Sequence, residues 1–242
     1  MRMINGYPRV KFQLNKDLDK KMCVEFLESE KAGVDFGLGI VSLYPELGQV
    51  RGEALSAKQH LVDNFVDVFY REHFLELKEA KESLSRVWKG KEYKFYQAVD
   101  EIFNSHPWPE GGYVCYLSIF NCNPRFLEEK TFQVFYKHIN RACALIAHEM
   151  LHFIFYDYIA SRFPSSLEKE NADTVWEVSE IFNSLVFTFP AFQEMLGKVE
   201  DLTYPEHEAL LSEYKKLWRK SKNIDEFLEK VLNDALKALS AE

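Results

Sequence analysis

The 242-residue chain predicts an α+β fold that is predominantly helical. Three observations carry this expectation. Apolar residues recur at spacings of three and four through most of the chain, which is the helical period. Two segments, Arg9–Leu14 and Tyr113–Phe120, read well as strands, and the last third is free of strand patterning. With 47% hydrophobic and 15% aromatic residues the chain can bury a sizeable core, so disorder is excluded for the bulk of it. No repeat, low-complexity linker or compositional break divides it. A single domain over 1–242 is expected, with a mixed α/β part over about 1–162 and a helical part over about 163–242.

Taken in order, Arg9-Val10-Lys11-Phe12-Gln13-Leu14 alternates polar and apolar, as a strand with one buried face does. Asp17 to about Glu30 reads as a helix. Val34 to Tyr44 is apolar and reads as a second strand, weakened by Gly37 and Gly39. From about Ser56 to Trp88 one long helical pattern runs through Leu61, Phe65, Val68, Phe69, Phe74 and Leu77, and Gly90 ends it. A further amphipathic helix covers Glu92–Phe103 and is closed by Pro107 and Pro109. Gly111-Gly112 leads into the strand Tyr113–Phe120, which Asn123-Pro124 stops. A long helix is then expected, beginning between Glu128 and His138 and running to about Ala160, because Phe132, Phe135, Tyr136, Ile139, Cys143 and Ile146 recur at three and four. After a loop with Phe163-Pro164, helices are expected over Lys169–Phe189, ended by Pro190, and over Glu206–Lys220. The final helix opens at Asn223-Ile224-Asp225-Glu226 with a capping-box pattern.

The formal charge is −8, and no Lys/Arg stripe stands above the acidic background, which argues against a nucleic-acid partner. Met1 to Pro8 lacks the apolar core of a signal peptide, and no run approaches the length of a membrane span. A cytoplasmic location and no membrane partner are therefore expected. Cys23, Cys115, Cys122 and Cys143 are scattered without a C-x-x-C, so neither a zinc ribbon nor a redox pair is signalled, and reduced, partly buried thiols are expected.

The chemistry lies in Ile146-Ala147-His148-Glu149-Met150-Leu151-His152-Phe153, an H-E-x-x-H spacing inside an apolar run. Residues four apart on a helix share a face, so His148 and His152 can offer two imidazole nitrogens to one metal ion. Glu149 sits roughly 100° round the helix, from where its carboxylate can reach a metal-bound water without ligating the ion. A helix apolar on most of its circumference is a costly place for three ionisable groups, and a shared cation relieves that cost. The plainer reading of the same residues is a pair of hydrogen-bonded core histidines with Glu149 in an ion pair.

A catalytic zinc site needs a third protein ligand and an open position. On the helix after the motif, Asp173, Glu177, Glu180 and Ser184 fall in one sector, with Val175, Val178, Ile181, Phe182 and Leu185 opposite. Taken alone this is a solvated face; beside a histidine pair it is a source of a carboxylate ligand. Glu180, bracketed by Trp176, Asn183 and Phe187, is favoured over Glu177, with Asp173 third.

His148-Glu149-x-x-His152 followed by a helix carrying Glu177 and Glu180 resembles the zincin metallopeptidases, more narrowly the gluzincin branch to which thermolysin belongs. The resemblance covers about Tyr113 to Phe189. It implies a zincin-like fold with a small sheet packed on an active-site helix. It also implies one zinc ion on His148, His152 and a downstream glutamate, with Glu149 as general base and a peptide or protein as substrate. The thermolysin pattern has an aspartate four residues after its ligand glutamate, whereas here Ile181 follows Glu177 and Ser184 follows Glu180. Phe155 and Tyr158 occupy the positions where metzincins carry glycine and histidine, which excludes that branch. Peptide deformylases also resemble the strand-then-helix order, with Cys115 or Cys122 in place of the carboxylate, but their glycine-rich and cysteine-bearing signatures are missing. A di-iron bundle needs a second Glu-x-x-His, which the chain does not contain.

The expected mechanism is hydrolysis by a zinc-activated water, with His207, Tyr204 or Tyr156 as possible donors to the oxyanion. Strand Tyr113–Phe120 is expected to hold an extended substrate as an added strand, with Ser118, Asn121 and Asn123 near its end. The competing class is a non-catalytic metal-binding or regulatory protein that keeps a zincin-like fold. His60, His73, His106 and His138 have no partners at metal spacing and are given structural roles.

Overall fold

The computed structural model describes residues 6–138, 141–197 and 203–239. In order the elements are β1 (Lys11–Leu14), α1 (Lys16–Phe26), β2 (Glu30–Lys31), β3 (Val34–Asp35), α2 (Phe36–Leu43), α3 (Leu55–Glu72), α4 (Phe74–Lys89) and α5 (Glu92–Ile102). They are followed by β4 (Val114–Ser118), β5 (Arg125–Phe126), β6 (Thr131–Phe135), α6 (Ala142–Arg162), α7 (Ala172–Val186), α8 (Pro190–Leu196), α9 (Glu208–Lys220) and α10 (Ile224–Leu239). The chain is mostly helical with a small sheet, an α+β fold. Its contacts divide it into two compact units. Of the described residues, one holds those within 8–90 and 111–146, the other 6–7, 91–110 and those within 147–239.

The first unit is built on a four-stranded sheet of order β1-β4-β6-β5, in which β1, β4 and β6 run parallel and β5 is antiparallel. Asp19 on α1 is completely buried and binds the sheet to the helices. It accepts from Ser118 Oγ at 2.6 Å, Gln133 Nε2 at 2.7 Å, Tyr70 Oη at 2.6 Å and the Ile119 amide at 3.3 Å. A buried carboxylate survives only when its lone pairs are met, and here four donors from α3, β6, β4 and the residue that follows β4 meet them.

Four expectations are corrected in this unit. Val34–Tyr44 is not a strand: only Val34–Asp35 pairs, with Glu30–Lys31, and the rest is α2. The Asp35 carboxylate caps that helix by accepting from the Leu38 amide at 2.7 Å, a local signal that outweighs the apolar run. The long helix over Ser56–Trp88 is two, parted at His73 with φ −108° and ψ 18°, a break the unbroken apolar period concealed. Thr131–Phe135 is strand, not the start of the motif helix, so the helix from Glu128–His138 onward begins only at Ala142. Phe132 through Phe135 are all buried, so the strand shows no alternation to distinguish it from helix. Ile139 lies outside the described residues.

The fourth correction concerns β4. It is an interior strand, paired to β1 through Lys11↔Val114 and to β6 through Cys115↔Phe132, so it has no free edge on which to add a substrate strand. Ser118 donates to Asp19, Asn121 Oδ1 accepts from Asn123 and lies 2.8 Å from His138 Nε2, and Asn123 Oδ1 accepts from the Phe135 amide. These three polar residues hold the turn together.

The second unit is helical. Helix α7 packs on α9 and α10, and α5 on α8. Helix α7 is shorter than the expected Lys169–Phe189, starting at Ala172 and ending at Val186, and Pro190 does not end it but opens the short helix α8, since proline suits the first helical position. At the start of α10, Asn223 Oδ1 accepts from the Glu226 amide at 2.9 Å while Glu226 accepts from the Lys222 amide at 2.9 Å. This is a reciprocal cap shifted by one residue from the standard box. Among the described residues no helix is long and apolar enough to cross a membrane.

Candidate metal centre

Helix α6 runs for 21 residues and is buried on nearly every side from Ala142 to Phe155, which explains why its sequence shows little amphipathic bias. The i, i+4 spacing brings the His148 and His152 rings to 4.7 Å between centroids. Helix α7 supplies the third group. Glu180 Oε2 lies 2.9 Å from His148 Nε2, Glu180 Oε1 lies 3.4 Å from His152 Nε2, and the two Nε2 atoms are 3.1 Å apart. The three side chains are buried, His152 at 0% and Glu180 at 3% exposure.

These contacts cannot all be hydrogen bonds at once. Each Nε2 has a single in-plane site, holding either a proton or a lone pair. If the His148 proton goes to Glu180, nothing at His148 can accept from His152. If His152 donates to His148, the 2.9 Å contact to the carboxylate becomes lone pair against lone pair. A cation between the three atoms removes the conflict. Donors about 2.0–2.1 Å from a tetrahedral ion stand about 3.3 Å from each other, and the separations here bracket that figure. Among the described residues, His148, His152 and Glu180 form the group whose ligand atoms converge tightly enough to hold a metal ion. Glu149 is buried beside them on α6 and is not one of the three.

Burial pushes the Glu180 carboxyl up, but the charges and hydrogen bonds of His152 and His148 outweigh it and hold the group well below the usual carboxylate range. Asn183, one turn on from Glu180, donates its side-chain amide to the His148 carbonyl at 3.1 Å. Phe187 lies nearly parallel to the His148 ring, 6.1 Å from its centroid.

The structure separates the three carboxylates considered on α7. Glu180 joins the histidines. Glu177, with a side chain 44% exposed, faces His207 Nε2 at 3.7 Å, and Asp173 is exposed. His207 is buried, with its ring against Trp176 and Tyr204. Burial lowers the affinity of His207 for its proton, against the pull of Glu177, Glu180 and Glu206. Tyr156 is half-buried, its ring centroid 6.5 Å from that of His152. Trp176, Tyr204 and His207 were each singled out in the sequence, but their meeting in one ring cluster had no signal there, because Trp176 lies on α7 and the other two on a later segment with no shared periodicity. Of the histidines given structural roles, His106 reaches Asp157 at 2.8 Å and His73 reaches Glu76 at 2.9 Å.

No family model, no curated protein and no solved structure matches this chain.

Proposed function

We propose that this protein is a zinc-dependent hydrolase, a metallopeptidase of zincin-like, gluzincin type that uses Glu149 as general base. The observation that carries this reading is the convergence of His148 Nε2, His152 Nε2 and the Glu180 carboxylate at one buried point, where the three contacts cannot all be hydrogen bonds at once. Two imidazoles and one carboxylate are a donor set that suits zinc and leaves one tetrahedral position for water. Bound there, zinc would act as a Lewis acid and bring the acidity of water towards neutrality. Glu149, buried and next in sequence to His148, takes the proton from the attacking water and returns it to the leaving amine. The developing oxyanion needs a further donor, for which His207, Tyr204 and Tyr156 are the candidates. The substrate on this reading is a peptide or protein.

The near-complete burial of His152 and Glu180 favours a second reading, a non-catalytic or regulatory protein in which the metal is structural. Glu149→Gln separates the two. On the hydrolase reading the variant keeps its zinc and loses roughly 10²–10⁴-fold in turnover of a fluorogenic peptide library. A zinc-loaded wild type that cleaves none of the library would leave the structural reading standing.

A further inference from the structure

Helix α3 carries two apolar stripes, of which one is fully buried and the other, in contact with Phe120 through Phe65 and with Tyr136 through Phe69, is only partly covered. Val62 and Val66 are fully buried. Leu61, Phe65, Val68 and Phe69, spaced as one helical sector beside them, instead line an open groove of about 500 Å³ together with Tyr44. Val68 is 40% exposed, and Leu61, Phe65 and Phe69 are only half-buried. Apolar surface that remains partly open in this way is available to a partner.

The groove is preformed. Tyr44 meets Phe65 at 4.9 Å and Phe69 at 5.7 Å, and Phe65 meets Phe69 at 6.0 Å, with interplanar angles of 59°, 80° and 40°. The Tyr44 hydroxyl donates to the Ile119 carbonyl at 2.8 Å, which fixes the ring at the corner. The rim is acidic. Glu46 and Glu72 line it and are exposed, while His73, also lining it, pairs with Glu76 at 2.9 Å. Glu72 has Arg71 at 3.6 Å, a pair of exposed side chains that compensates little.

We propose that this groove docks an amphipathic helical segment of a partner protein whose apolar anchors are flanked by lysine or arginine. The stripe from Leu61 to Phe69 spans about 12 Å at 1.5 Å per residue, enough for about two turns of a partner helix with anchors at i, i+3 or i+4, and i+7. The carboxylates at the rim set the sign of the flanking charges. The site belongs to the first unit and does not depend on the metal chemistry.

The test uses the full chain and two fluorescein-labelled synthetic helical peptides with leucines at that spacing, one filled with lysine and the other with glutamate. Saturable anisotropy is expected for the lysine peptide alone. Val68→Lys should weaken it by about tenfold or more, as loss of a central anchor does. The double variant Glu46→Gln/Glu72→Gln should weaken it less and flatten its salt dependence. Thermal unfolding of both variants establishes that they fold. The idea is overturned by absence of saturable binding, by equal binding of the glutamate peptide, or by binding indifferent to Val68→Lys. It is equally overturned if the wild type self-associates and Val68→Lys abolishes this, since the occupant is then a second copy.

Discussion

The side-chain amide of Asn183 donates to the backbone carbonyl of His148 at 3.1 Å. The bond joins α7 to α6 one turn from Glu180, and so fixes the axial offset between the helix that carries the carboxylate and the helix that carries the imidazoles. A metal site tolerates errors of only a few tenths of an ångström in its donors, so this offset matters. Asn183→Ala should cost about 1–3 kcal/mol of stability, measured by urea unfolding in the presence of chelator. It should also lower metal affinity in a competition titration. A variant less stable but unchanged in affinity would mean that the bond supports the fold and not the spacing.

The ligand set makes a separate prediction. Elemental analysis should find about one metal ion per wild-type chain, as a three-ligand site with one open position binds. None should remain in His148→Ala, His152→Ala or Glu180→Ala. Glu177→Ala should keep its ion, because Glu177 faces His207 and stands outside the group. Metal at a hundredfold excess over its dissociation constant should raise wild-type stability by about 2.7 kcal/mol and leave Glu180→Ala unmoved. Full occupancy of Glu180→Ala would place the third donor elsewhere.

How much of this was legible in the sequence follows from where local rules suffice. The H-E-x-x-H spacing brings two nitrogens together on any helix, so the pairing of His148 with His152 needed no tertiary knowledge. Choosing Glu180 over Glu177 rested on its brackets Trp176, Asn183 and Phe187, a local trace of burial; Glu180 is buried and the Glu177 side chain is 44% exposed. Strand β6 was illegible because a strand buried on both faces loses its period, and Phe132, Phe135 and Tyr136 also fit a helix. The interior position of β4 depends on β1, about a hundred residues earlier in the chain, and no local pattern announces that pairing.

Gly37 gives a steric prediction. A Cβ at this position would stand 1.9 Å from the Leu27 carbonyl oxygen and 2.9 Å from Arg51 Nε. Arg51 Nε donates to that same oxygen at 2.9 Å and its guanidinium binds both Asp35 oxygens, so the clash falls on a clamp joining α1, α2 and the loop before α3. Backbone cannot yield as a flexible side chain can. Gly37→Ala should destabilise by about 1–3 kcal/mol, the usual cost of overpacking, whereas Gly39→Ala, with open space around it, should be neutral or stabilising. Chemical denaturation of the two variants in parallel decides it, and equal stabilities would show that α2 shifts freely.

Asp19 predicts a pH dependence of stability. Burial raises its carboxyl to about 6, against the pull of Ser118, Tyr70, Ile119 and Gln133. The unfolded chain releases this proton near pH 3.9, so between about pH 4 and 6 the native state holds a proton that the unfolded state has lost. The sign follows: the contribution is full below about pH 4 and is lost as pH rises through about 6. At about 1.4 kcal/mol per pKa unit the loss is on the order of 3 kcal/mol. Asp19→Asn cannot titrate, so its unfolding free energy should lack this fall, even though an amide matches four donors poorly and the variant should be less stable throughout. Other carboxylates titrate in the same range, and the difference between wild type and variant cancels them. Urea midpoints at intervals from pH 4 to 7 supply that difference. Parallel curves would show that Asp19 is ionised throughout, held so by the four hydrogen bonds it accepts.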